Sequence, residues 1–311
     1  MTRPVHGDVD LADLGVAELV ADGGQGVVFR LARPVGVLLK LYHNDVDVLA
    51  DELGRLIELP AGLGSPDRSL IAAMTAWPFA RVFHRGRCAG LLMREAPDRF
   101  ATVLAGRSRL LELQFLLYPR RAMWDELVLP TDAERRWLAV RYLRLFQVLH
   151  RHDVLVGDVS MRNLLWTLED GPGVFAIDCD GFRVAGRWPA VAPVDTAGWA
   201  DPSAPAGEVT PDTDRYKLAL LTLRLLLGDH AVTPEDVRSS PSLRASFGPV
   251  LTALAAQAGR PGMRPAADSW LGALTGRRPS RNAGLVQREY AAEGHAPDEV
   301  GSPTNGAEPR G

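Results

Sequence analysis

The 311-residue chain has few cysteines, little net charge and no long apolar run, and each shortage excludes a class of protein. Its longest apolar stretch, residues 218–227, is shorter than the ~20 residues that cross a bilayer and contains Arg224, so no membrane partner is expected. The N-terminus lacks the basic-then-apolar pattern of an export signal, and the two cysteines, Cys88 and Cys179, cannot build a disulfide framework. Both observations predict a cytoplasmic protein. A net charge of −3 gives no basic field, so nucleic acid is not an expected partner.

Lysine is scarce as well, because 33 of the 35 basic residues are arginine and only Lys40 and Lys217 are lysine. A lysine in such a chain suggests a place where a compact ammonium is needed and a planar guanidinium does not fit. Lys40 ends the apolar run 35–39, which predicts a buried strand. A solvated charge at the end of a strand is the ordinary alternative, and the neighbouring motifs argue against it.

The first ninety-odd residues predict a mostly antiparallel sheet with one inserted helix. Residues 17–31 contain two apolar strand-like runs around a glycine-rich turn at 22–26. Residues 45–59 have near-helical apolar spacing, and 76–93 read as two further strands.

Beyond residue 97 the pattern becomes mainly helical, and it predicts two ordered segments, 1–94 and 95–278, followed by a disordered tail at 279–311. The predicted elements of the second segment are a helix at 132–150 capped by Thr131, strands at 164–168 and 174–177, a long loop at 183–211 and a buried helix at 216–227.

Four polar residues accompany the glycine turn and Lys40. Asp158 and Asn163 stand five apart between a helix and a strand, Asp178 follows the next strand, and Glu52 lies on the inserted helix. Such a set suits transfer of a nucleotide's terminal phosphoryl group. Glycines let the backbone approach phosphates, a lysine neutralises them, a carboxylate with an amide holds Mg²⁺, and a second carboxylate orients the acceptor hydroxyl.

The order of these elements resembles the protein kinase family over about residues 14–274. The segments that carry the resemblance are 21–29 (glycine-rich loop), 37–40 (lysine strand), Glu52, 156–163 (catalytic loop), Asp178, 199–203 (end of the activation segment), Asp214 and Arg264. Within the family, the chain looks most like a divergent bacterial branch that includes kinases fused to helix-hairpin-helix modules. No such module follows residue 280, so DNA binding is not implied.

The resemblance implies an α+β, bilobal protein kinase-like fold, with a small antiparallel β-sheet lobe containing one helix and a larger, mainly helical lobe. It implies ATP and Mg²⁺ as cofactors, with Mn²⁺ as a possible substitute. Asp158 would orient the acceptor hydroxyl, Asn163 and Asp178 would ligate the metal, and Glu52 would hold Lys40. Glu58 is the alternative partner of Lys40. The implied nucleotide-binding residues are Ala21, Gly23, Gly24, Gly26, Val28, Lys40, Met93, Glu95 and Ala96.

A register that uses Asp180 in place of Asp178 as the metal-binding aspartate stays open. So does the partner of Arg264, because Ser203 stands where the family has the glutamate that pairs with this arginine. Glu208 could reach Arg264, and an unpaired arginine is the other possibility.

Two further departures concern the catalytic loop. Gly157 replaces an arginine that clasps a phosphorylated activation loop in many kinases, which predicts activity independent of phosphorylation of residues 183–203. Ser160 replaces a lysine that contacts the transferred phosphate, and Arg162 could substitute for it.

The resemblance therefore predicts a serine/threonine kinase with a protein substrate. A small-molecule phosphotransferase of the aminoglycoside-kinase type is the second hypothesis. A nucleotide-binding pseudokinase scaffold is the third.

Overall fold

The computed structural model describes residues 7–15, 17–193 and 196–276, which lie in one compact unit. It confirms an α+β architecture with a mixed sheet and a mainly helical second part. The predicted tail at 279–311 lies outside the described residues. No helix among the residues described has both the length and the apolar character that a bilayer crossing requires.

A six-stranded sheet forms the first part of the structure. Its strands are β1 Val9–Asp10, β2 Ala17–Asp22, β3 Gly26–Leu31, β4 Val37–Tyr42, β5 Pro78–His84 and β6 Arg87–Arg94. They are ordered β1-β5-β6-β4-β3-β2, and only the β1–β5 pair is parallel. The sheet places β4 between β3 and β6, so Lys40 comes from an interior strand that continues two residues beyond it.

Two glycines allow close approach to the backbone of β4. A Cβ on Gly26 would lie 2.4 Å from the carbonyl oxygen of Leu41, and one on Gly90 would lie 2.2 Å from that of Lys40. Any side chain at either position would push the neighbouring strand away. Gly26 therefore has a packing role whether or not it also faces a nucleotide.

Two helices, α1 Ala50–Glu58 and α2 Ser65–Met74, connect β4 to β5, where the sequence pattern predicted one. The apolar spacing of 45–59 marks α1, but its first five residues precede the helix. Pro60 cannot continue α1, and Pro66 in the first turn favours a new helix. The single-helix prediction was therefore wrong for this connection.

The second part of the structure packs helices around short strand pairs. The helices are α3 Gln114–Leu117, α4 Asp132–Arg151, α5 Pro211–Leu227, α6 Pro234–Ser239, α7 Pro241–Ala258 and α8 Ala267–Thr275. The strands are β7 Ala101–Leu104, β8 Arg107–Leu110, β9 Val154–Leu155, β10 Leu164–Thr167, β11 Gly173–Ala176 and β12 Arg183–Val184.

The predicted caps and burial explain where the two central helices lie. Thr131 and Glu134 form a capping box at the start of α4, as the sequence predicted for Thr131. Helix α5 is buried on nearly all sides and starts at Pro211, earlier than predicted, because Thr210 and Thr213 form a second capping box there. Both helices contribute buried residues to the same hydrophobic core as β9, β10 and β11.

Candidate functional site

A cleft that opens to solvent brings predicted site residues together. Asp158, Asn163 and Asp178 line one side of it, and Gln25 of the glycine turn lines another. Asp158 and Asn163 precede β10, and Asp178 follows β11. Because the two strands form a hairpin, all three residues lie at the same end of it. Residues from the sheet and from the helical part thus meet at one opening.

Lys40 is buried and reaches two carboxylates of the segment after β11. Its Nζ donates to both carboxylate oxygens of Asp180, at 3.0 and 2.9 Å, and to Oδ1 of Asp178 at 3.4 Å. The hydroxyl of Tyr42, two residues along β4, also donates to Asp180 at 2.9 Å. The ammonium from the sheet is therefore tied to the carboxylates of the second part.

The backbone at Asp178 separates the two carboxylates. Asp178 adopts the left-handed conformation with φ of 55°, and a short 3₁₀ turn over Cys179–Gly181 follows it. The Asp180 side chain is consequently 1% exposed, whereas that of Asp178 is 46% exposed and borders the cleft. Cys179 between them is fully buried, and burial raises the pKa of its thiol.

Charge compensation keeps Lys40 protonated. Burial lowers the pKa of its ammonium, but the charges of Asp180 and Asp178 outweigh burial, and the pKa lies above its ordinary value. Burial also raises the pKa of Tyr42, so its phenol stays a donor to Asp180. While both carboxylates are ionised, the stabilising contribution of this ion pair is therefore fully present below the pKa of a free lysine side chain, and it is lost as the pH rises through the raised pKa of Lys40.

Asp158 is held by two polar side chains at the cleft. Nδ2 of Asn163 donates to Oδ2 at 3.0 Å, and the hydroxyl of Thr196 donates to Oδ1 at 2.8 Å. Sequence reasoning missed Thr196, because it lies in a loop of irregular structure where spacing gives no signal. Ser160 is buried, and its hydroxyl accepts from the N–H groups of Arg162 and Asn163, so it shapes the turn of the loop.

Asp214 braces the same loop from α5, as predicted. Its buried carboxylate accepts from the N–H groups of Val156 and Gly157, at 3.0 and 2.9 Å, and lies 2.8 Å from Nε2 of His150. Lys217, one turn further along α5, donates to the carbonyl oxygen of Gly157 at 2.7 Å. The chain's two lysines therefore both support this site, although the sequence assigned no role to Lys217.

Glu52 does not contact Lys40 in this structure. Its carboxylate accepts two hydrogen bonds from Arg187, at 2.8 and 2.6 Å, and the guanidinium of Arg187 lowers its pKa. Glu58, the alternative partner, has no described contact with Lys40 either. Asp180 lies at the ammonium instead, so Lys40 pairs with a residue of the segment after β11 and not with the predicted glutamate.

The loop that carries Arg187 continues across the front of the cleft. The N–H of Leu49 donates to the carbonyl oxygen of Ala190 at 2.8 Å, and the side chain of Gln25 donates to that of Ala192 at 2.9 Å. Three contacts, counting Arg187–Glu52, thus tie this loop to the first part of the chain. Spacing in the sequence could not reveal them.

A second apolar cluster contains several of the predicted nucleotide-binding residues. Met93 and Leu165 are buried in it, and Val28 and Ala96 pack against it, so three of the predicted nucleotide-binding residues meet here. The fourth predicted residue of this region is Glu95. Its carboxylate accepts from Nε of Arg30 at 2.9 Å, and its N–H donates to the carbonyl oxygen of Gly36 at 2.9 Å.

The glycine turn itself joins β2 to β3. Ala21 belongs to β2, Gly23 and Gly24 form the turn, and Gly26 begins β3. No heavy atom lies within 4 Å of a Cβ built on Gly24, and only the carbonyl oxygen of Gly26 does so for Gly23. Both positions therefore have room around a Cβ.

Arg264 has a buried partner that the sequence did not identify. Asp201 forms a two-pronged ion pair with it, with Nη2 donating to Oδ1 at 2.9 Å. The side chains are 1% and 3% exposed, and Arg264 also lies over the ring of Tyr216. The expectations of Glu208 or no partner were wrong, because Asp201 lies two residues before Ser203 and faces inward.

No family model matches this chain, and no curated protein matches it significantly. Within the described ranges, no group of three or more His, Cys, Asp or Glu side chains is arranged to hold a metal ion by itself. Function is accordingly inferred from the chemistry of the cleft.

Proposed function

We propose that this chain is an ATP- and Mg²⁺-dependent kinase that transfers the γ-phosphoryl group to serine or threonine hydroxyls of a protein. The observation that carries the proposal is that a buried ammonium contacts a carboxylate that lines the same cleft as a second carboxylate and an amide. A buried ammonium, Lys40, lies 3.4 Å from Asp178, and Asp178 shares the cleft with Asp158 and Asn163. Phosphoryl transfer requires positioning and charge compensation of this kind.

The donor set fits a magnesium ion bound together with phosphates. Asp178 is half-exposed at the cleft. The side-chain amide nitrogen of Asn163 donates to Asp158, so the side-chain carbonyl oxygen of Asn163 is the atom that would bind a cation. Mg²⁺ in phosphate-transfer sites is held by one or two protein oxygens, substrate phosphates and water. Bound there, the cation would neutralise negative charge on the phosphates, and Mn²⁺ also accepts oxygen ligands.

Asp158 is the proposed catalytic carboxylate. Its Oδ1 already accepts a hydrogen bond from a threonine hydroxyl, that of Thr196, at 2.8 Å. An acceptor hydroxyl presented from the cleft would meet the same carboxylate, which would orient it and take its proton. The brace from Asp214 fixes the loop that carries Asp158.

The same proposal includes the bilobal kinase-like fold. The six-stranded sheet would be the small lobe, with residues 95–276 forming the large one. The apolar cluster around Met93, Val28 and Leu165 would receive the adenine. A cytoplasmic location is part of the proposal and is supported by two free thiols, Cys88 and Cys179.

Transfer of labelled phosphate from ATP tests the proposal. Purified chain with Mg²⁺ should label itself or a generic protein, and an aminoglycoside should accept none. Lys40→Met and Asp178→Asn should each lower transfer by about 100-fold or more. Asp170→Asn is the matched control, because Asp170 lies exposed in the β10–β11 turn at φ 58°, a conformation that asparagine adopts readily.

Three outcomes would contradict this proposal. Unchanged transfer by Lys40→Met would show that the cleft described above is not the working site. Transfer to the aminoglycoside alone would identify a small-molecule phosphotransferase, and no transfer with tight ATP binding would identify a nucleotide-binding scaffold.

A further inference from the structure

A buried ammonium needs a carboxylate that stays with it, because an isolated charge in the interior is costly. Lys40 has two described partners, Asp178 and Asp180. One of them must also be available to a cation if the cleft works as proposed. The geometry distinguishes the two.

Asp180 is committed to Lys40. Both of its oxygens accept from Nζ, at 3.0 and 2.9 Å, and Oδ2 also accepts from the hydroxyl of Tyr42 at 2.9 Å. Its side chain is 1% exposed, and it does not line the cleft. If Asp180 turned away, Lys40 would keep only its longer contact with Asp178, and the buried charge of Asp180 would lose its partner.

Asp178 has the opposite character. It makes a single contact with Nζ, at 3.4 Å, near the long limit for a hydrogen bond. Its side chain is 46% exposed and borders the cleft with Asp158 and Asn163. A cation that bound Asp178 would cost Lys40 only its weaker contact.

We propose that Asp180 is the residue that positions Lys40, in place of a glutamate on α1, and that this leaves Asp178 free for the cation. The inference rests on the proposed function for its catalytic consequence. Its structural content is the pairing of Asp180, Lys40 and Tyr42. Glu52 is left to hold Arg187 of the loop across the cleft.

The chain's two lysines make the pairing directly measurable. Protein labelled with ¹⁵N at the lysine Nζ should give two ammonium signals, one from Lys40 and one from Lys217, assigned with Lys40→Arg. Lys217 donates to the carbonyl oxygen of Gly157, so its signal reports an intact fold around the catalytic loop. Asp180→Asn should abolish or strongly shift the Lys40 signal and leave the Lys217 signal unchanged. Glu52→Gln should leave both unchanged.

Kinetics supply the readout that a structural defect alone would not produce. In Asp180→Asn, Lys40 retains only Asp178, so Lys40 competes with Mg²⁺ for the carboxylate of Asp178. The KM for ATP should rise at least tenfold at about 1 mM Mg²⁺ and should fall again as Mg²⁺ is raised about twentyfold. Glu52→Gln should keep its KM for ATP within about threefold of the wild type, as should the Asp170→Asn control.

An unchanged Lys40 signal in Asp180→Asn would overturn the inference, as would loss of that signal in Glu52→Gln. A tenfold rise in the KM for ATP in Glu52→Gln without one in Asp180→Asn would do the same. If Asp180→Asn fails to fold, as judged by loss of the Lys217 signal, the inference is decided by Glu52→Gln with the same two measurements. Should the wild type transfer no phosphate, the proposed function fails, and the ammonium signals still decide whether Asp180 holds Lys40.

Discussion

Replacing Asp214 by asparagine tests how the loop at residues 156–163 is held. The buried carboxylate accepts from the N–H groups of Gly157, at Oδ1, and Val156, at Oδ2. His150 also lies 2.8 Å from Oδ2. Asparagine has the same shape but offers one acceptor oxygen. Whichever way its amide is turned, at least one backbone N–H faces an NH₂ group.

The expected loss of stability follows from the number of N–H groups that lose an acceptor. One hydrogen bond to a charged acceptor is lost, worth about 1.5–3 kcal/mol, and a buried N–H is left without a partner, which costs about 1–3 kcal/mol. These overlap, since both describe the same N–H, so we expect Asp214→Asn to lower the free energy of unfolding by about 2–4 kcal/mol. This is a large part of the 5–15 kcal/mol typical of a domain.

Urea denaturation, with hydrogen exchange of the Val156 and Gly157 amides, measures this effect. Both amides should lose protection in Asp214→Asn, and Asp170→Asn in the exposed turn should change the free energy of unfolding by less than about 0.5 kcal/mol. A cost below about 1 kcal/mol in Asp214→Asn, with both amides still protected, would refute the brace.

Two further predictions concern positions where burial leaves no room for adjustment. Asp201→Ala should lower the free energy of unfolding by about 3–5 kcal/mol, because it leaves Arg264 buried without its two-pronged partner. The double variant with Arg264→Met should recover most of this in the same urea experiment, and an additive double variant would contradict the pairing. Gly90→Ala should cost at least about 2 kcal/mol, because its Cβ would lie 2.2 Å from the carbonyl oxygen of Lys40. Gly62→Ala, with open space around it, should stay within about 0.5 kcal/mol, and equal thermal midpoints for the two glycine variants would show that β4 yields to a side chain.

Local patterns predicted the elements whose signals are contained in a few residues. Thr131 caps α4 because a hydroxyl followed three residues later by glutamate satisfies the first turn wherever the helix lies. The pattern predicts one helix before β5 because Pro60 ends the first, although α2 begins five residues later at Ser65, with Pro66 in its first turn. Helix α5 was predicted to begin too late, since the capping box at Thr210 was not recognised.

Ion pairs between distant side chains were not predicted by local sequence patterns. The expectation that Glu52 holds Lys40 came from position along the chain, but Asp180 is the carboxylate that lies at the ammonium. Arg264 was expected to pair with Glu208 or to be unpaired, but Asp201 lies beside it. Position in a motif identifies which residues approach a site and does not decide which of two nearby carboxylates turns toward it.

The sequence alone determined which residues could carry chemistry: a lysine in a chain of arginines, acidic and amide side chains at the ends of short strands, and the caps that start the helices. These depend on covalent spacing and local hydrogen bonding, which a few neighbouring residues specify. Only the tertiary structure decided that Asp180 is buried against Lys40 while Asp178 stays open to the cleft, and that Arg187 takes Glu52. Burial and ion pairing depend on distances between segments more than 100 residues apart, and those distances exist only once the chain has folded.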